Sequence, residues 1–126
     1  MKIQIIFIIS LLTILNYSSS ASNSKEFKDG DIIFQNIPSS QSKAIELATH
    51  SNFTHVGIIF YKNNKPYVLE AVQPVRYTEL SEWIDYGKKD YFVVMRLKNR
   101  DSLLSTDIIK QMKQEGEKFI QNDYDI

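Results

Sequence analysis

The chain has 126 residues, with 15 Lys and Arg against 15 Asp and Glu, and no cysteine. That length holds one domain at most. The balanced charge gives nucleic-acid binding no electrostatic footprint, and the absence of Cys excludes disulfides.

Met1-Lys2 is a short basic start, followed by an apolar run from Ile3 to Leu15 broken only by Gln4, Ser10 and Thr13. Small residues then lead to Ser19 and Ala21, which suit the −3 and −1 positions of a signal-peptidase site. A membrane anchor is the competing reading, but a bilayer span needs about 20 apolar residues. The layout predicts a signal peptide over residues 1–21, export to the periplasm or beyond, and no stable membrane span after cleavage. Cleavage removes Lys2 and no acid, leaving one more acidic than basic side chain. Residues 22–28 are polar and read as a flexible lead-in to a domain over 29–126.

Gly30-Asp31 opens a short strand, Ile32-Ile33-Phe34-Gln35, rich in β-branched and aromatic residues. Pro38 breaks it, and Ser39 or Ser40 is expected to cap a helix over Gln41 to His50. Ala44, Ile45, Leu47 and Ala48 give that helix one apolar face. Thr54 to Tyr61 and Pro66 to Val72 form a hairpin around Asn63-Asn64, because Asn tolerates the positive φ of a tight turn. After a bend at Pro74, Val75-Arg76-Tyr77 is again extended. Thr78 is the expected N-cap of a helix over Glu79 to Tyr86, with Leu80, Trp83 and Ile84 on one face. Tyr91 to Leu97 is a further strand. A last helix is predicted from about Ser102 to Gln121, where Gly116 implies close packing. Asn122-Asp123-Tyr124-Asp125-Ile126 leaves that helix and begins another extended segment. These elements describe an α+β domain: a small, mostly antiparallel sheet of about five strands with about three helices.

Strand alternation puts His55 and Gly57 on one face. A buried neutral imidazole must place both ring nitrogens, and each unsatisfied group costs about 1–3 kcal/mol. Glu70 on the adjoining strand is a bare carboxylate in apolar surroundings and needs a partner as well. One His55–Glu70 pair answers both needs and leaves the second ring nitrogen to accept a proton from a nucleophile. A purely structural pair, or side chains facing solvent, satisfies the same pattern. A metal site is a third reading, since His50, His55 and Glu70 make a His₂Glu donor set, although no single element aligns them. Arg76 and Arg96 are suited either to a substrate carboxylate or to pairing with Glu70, Glu79 or Asp85.

Gly30-Asp31-Ile32-Ile33-Phe34-Gln35, Ser40-Gln41-Ser42-Lys43-Ala44-Ile45, Ala48-Thr49-His50-Ser51, Thr54-His55-Val56-Gly57-Ile58, Leu69-Glu70-Ala71-Val72 and Val75-Arg76-Tyr77-Thr78-Glu79-Leu80, in this order, resemble the YiiX/YebB-like cysteine hydrolases. These are circularly permuted relatives of the NlpC-type, papain-like amidases. The resemblance implies an incomplete permuted papain-like fold, in which His55 is the catalytic histidine and Glu70 the acid that orients it. It also implies a nucleophilic Cys at the start of a helix beyond the Tyr124-Asp125 region, a position this sequence does not reach. The expectation is therefore an exported hydrolase of amide or acyl bonds, truncated and inactive as written. Its apolar sheet and helix faces would be left partly exposed. Cell-wall peptides or acylated lipids are the implied substrates, and no cofactor is implied. A non-catalytic peptide- or lipid-binding domain is the alternative, with the metal-dependent hydrolase behind it. Oligomeric state is not legible.

Overall fold

The computed structural model describes residues 26–123; the expected signal peptide and the segment after Asp123 lie outside them. Five strands form one antiparallel sheet: β1 (Ile32–Gln35), β2 (His55–Lys62), β3 (Lys65–Glu70), β4 (Arg76–Glu79) and β5 (Phe92–Met95), in the order β4-β3-β2-β1-β5. The helices are α1 (Ser42–Thr49), α2 (Leu80–Asp85), α3 (Arg100–Leu103) and α4 (Thr106–Glu117). The α+β class and the antiparallel sheet agree with the sequence.

The β2–β3 hairpin is the sheet's centre of gravity. Asn63 and Asn64 sit at φ 50° and 61°, the two left-handed positions that a two-residue turn needs to match strand twist. With register set by that turn, Ile33, Ile59 and Val68 fall on one face and pack against Leu80 and Trp83 of α2. Half-buried Phe27, within the expected lead-in, joins this cluster. Leu69 faces the opposite side, where α4 crosses. A Cβ on Gly116 would lie 2.4 Å from Leu69 Cδ2, so the helix crosses the sheet against the end of that side chain. Lys113 of α4 donates to Tyr61 O at 2.8 Å and pairs with Asp29 at 2.9 Å.

Several local expectations change. Thr78 lies in β4 rather than capping α2, because its hydroxyl donates across the sheet to Glu70 Oε1 at 2.6 Å. Neither Ser39 nor Ser40 caps α1; the cap position is Gln41, without a side-chain bond. The helix read over 102–121 is two. Ser105 Oγ accepts from Ile108 N at 3.3 Å and starts α4 afresh, the usual work of a serine at an N-cap. The apolar face of α1 is largely open, with Leu47 63% exposed. Val56, Ile108 and Phe119 are also exposed. An apolar trough of about 820 Å³, lined among others by Ile32, Val56, Ile58, Leu69 and Phe119, runs along the α4 side of the sheet.

Candidate active site

His55 opens β2 and Glu70 closes β3. They are not register partners, since Glu70 stands opposite Gly57, two positions further along. Such diagonal neighbours are within reach of long side chains. His55 Nε2 reaches Glu70 Oε2 at 2.6 Å. The expected pair forms.

Glu70 is fully buried and surrounded by donors. Oε2 also accepts from Trp83 Nε1 at 2.8 Å and from the Tyr86 hydroxyl, while Oε1 accepts from Thr78 and from Arg76 Nε at 3.2 Å. Burial alone would raise its pKa, yet hydrogen bonds from His55, Thr78 and Tyr86, with the charge on His55, hold it down at about 2. Tyr86 responds in the opposite sense: burial and the carboxylate it donates to push its phenol up. The carboxylate is thus ionised and acceptor-only. A neutral His55 must then carry its proton on Nε2, which leaves Nδ1 as the basic nitrogen.

The imidazole borders two clefts. One, of about 290 Å³, lies between the start of α1 and the segment after β3, with Ile37, Gln41, Ile45, Thr54 and Val72 among its walls. The other, of about 300 Å³, adds Phe34, Phe53 and Val56. A proton acceptor held by a buried acid at the edge of an open cleft is suited to activating a nucleophile. His50 does not join it: it caps α1 on the surface at φ 52°. Among the described residues no group of three His, Cys, Asp or Glu is gathered to hold a metal, which corrects the His₂Glu reading. Arg76 pairs with Glu70, one of the partners expected for it. Arg96 does not take any of those partners. It forms a two-pronged bond, 2.7 Å on each side, with buried Asp31.

Residues 26–126 match the family model described as the permuted papain-like amidase enzyme, YaeF/YiiX, C92 family. The chain belongs to this family. It is 46% identical over 96 residues to the protein named uncharacterized protein YiiX of Escherichia coli strain K12, covering 76% of this chain and 46% of that one. A crystal structure titled metalloprotein yiiX, from Escherichia coli O157:H7, superposes with a TM-score of 0.71 at 46% identity, over 78% of this chain and 53% of the other. The chain thus spans about half the length of these relatives.

Within this C92 domain, sequence reasoning missed the donors that complete the site. Trp83 is legible as core and Thr78 as a cap, whereas both bond Glu70; Tyr86 is legible only as the end of a helix. The available signal was the carboxylate itself: a buried acid has about four lone-pair sites to fill, and a single His fills one.

Proposed function

We propose that these residues form the histidine–acid half of an amidase active site, working with a cysteine that the 126 residues do not contain. The observation that carries this reading is the 2.6 Å His55–Glu70 bond at a cleft edge, in a chain of the permuted papain-like amidase family. In the proposed cycle His55 Nδ1 removes the thiol proton, and the resulting imidazolium is stabilised by the Glu70 carboxylate. The thiolate attacks the amide carbon and forms an S–C bond. The imidazolium then protonates the departing nitrogen as the C–N bond breaks. Water, deprotonated by Nδ1, attacks the thioester carbon; the C–S bond breaks, the acid leaves, and the thiolate takes back the proton held on Nδ1. Peptides of the cell wall or acylated lipids are the proposed substrates. Residues 1–21 support export as the route to them.

The test uses a protein joining these residues to such a cysteine, assayed on acyl-amide and acyl-ester substrates. His55→Ala is expected to remove turnover, and alkylation of the thiol to do the same. Turnover that survives either change overturns the proposal. Fractionation and N-terminal sequencing of the exported protein test cleavage after Ala21. Saturable binding of such ligands, with no turnover even in the presence of the thiol, would support the binding-domain reading instead.

A further inference from the structure

We infer that Trp83 is the positioning residue of the His55–Glu70 pair, its indole N–H setting the carboxylate and its ring setting the plane of the imidazole. The inference rests on the amidase reading for what the pair does, though not for how the pair is held.

Trp83 touches both partners at once. Its Nε1–H donates to Glu70 Oε2 at 2.8 Å, the same oxygen that receives His55 Nε2 at 2.6 Å. Its ring lies on the imidazole with centroids 5.7 Å apart and planes 26° from parallel. Trp83 is itself fully buried and tethered, because Gln35 Nε2 donates to its carbonyl at 2.8 Å. Gln35 is in turn the register partner of His55 across β1 and β2. The result is a closed loop, from His55 through Gln35 and Trp83 to Glu70 and back to His55.

A residue that only filled the core would need none of these polar links. Phenylalanine offers an apolar ring and no donor. The N–H fixes the direction in which Oε2 is presented to the imidazole, and so the line of the Nε2–H bond that the ionised carboxylate accepts. The stacked face holds the imidazole plane, and with it the direction in which Nδ1 points. A general base in a thiol hydrolase needs both effects: Nδ1 bare at rest and aimed steadily at the thiol. Besides His55 and Glu70 themselves, the charged and titratable groups around the pair are Arg76 on β4 and Tyr86 after α2, while β1 supplies the neutral Gln35.

Trp83 is the single tryptophan of the chain, so its indole N–H gives one unambiguous resonance. The experiment follows that resonance and the His55 ring nitrogens by ¹⁵N NMR across pH in the 126-residue chain, in its His55→Ala variant and in Trp83→Phe. The indole signal is expected to shift in one step at the imidazole midpoint, and that step to vanish in His55→Ala. In Trp83→Phe the His55 Nε2–H proton signal is expected to move and broaden, as the carboxylate that accepts it loses its fixed orientation. An indole signal that stays flat through the imidazole titration overturns the inference. So does a folded Trp83→Phe whose Nε2–H signal keeps the position and width of the parent. If that variant fails to fold, the titration of the parent chain decides alone. No step requires a thiol or turnover, so a failed amidase assay would sink the functional proposal and leave this result standing.

Discussion

His55 and Glu70 meet at 2.6 Å across a diagonal of the β2–β3 ladder, where Gly57 is the register partner of Glu70. The hairpin that carries the pair is packed tightly at that glycine. A Cβ there would lie 2.2 Å from Val68 Cγ1 and 3.1 Å from Leu69 O. Val68 is fully buried and stiff at χ1, so neither neighbour yields easily. Gly57→Ala is expected to lower stability by about 2 kcal/mol, the middle of the range for overpacking a core. Gly116→Ala is the contrast. Its clash is with the mobile end of Leu69, and alanine returns about 1 kcal/mol of helix propensity, so the net change should be near zero. Urea denaturation of the two variants checks both signs.

Removing the acid should cost more than removing the histidine. Glu70 is buried with five donors aimed at it, and Glu70→Ala strands them. The expected loss is about 3–5 kcal/mol, the range for breaking a buried charged network from one side. His55→Ala leaves Glu70 its other donors and should lose less. Parallel denaturant curves at pH 7 make the comparison, and equal losses would contradict it.

The same carboxylate predicts an acid limb. Glu70 holds its proton less tightly in the folded protein, at about 2, than at its ordinary value of 4.5. Its contribution is therefore complete above about pH 4.5 and is lost as the pH falls through about 2. Over that window it amounts to about 3 kcal/mol. Thermal melts between pH 5 and 2 should show this decline, and Glu70→Gln should flatten it.

Asn64 is the second positive-φ residue of the hairpin turn, at 61°. Glycine adopts that conformation without strain and is the preferred partner after Asn in this turn. Asn64→Gly should raise stability by about 0.5 kcal/mol, read as a higher denaturant midpoint with the slope unchanged.

The parts of the molecule legible from sequence are those with local causes. The β2–β3 hairpin follows from alternation plus Asn63-Asn64, and the His55–Glu70 pair from two buried polar groups needing partners on adjacent strands. What escaped is non-local or ambiguous. Thr78 carries equally good signals for an N-cap and for a strand, and only the distant need of Glu70 decides between them. Arg96 finds Asp31 rather than its expected partners because β5 pairs with β1, a neighbourhood invisible to spacing. Ser105 interrupts an apolar periodicity that runs straight through it, and its capping bond to Ile108 N reveals the break.

The trough beside α4 and the face of α1, both open among the described residues, bear on the energetics of this domain. Hydrocarbon already wet in the native state adds nothing to the heat capacity when the chain unfolds. The calorimetric increment should therefore fall below the about 12–15 cal/mol/K per residue usual for globular domains. Its stability curve would be correspondingly broad and shallow, and a molecule that covered the trough would sharpen it.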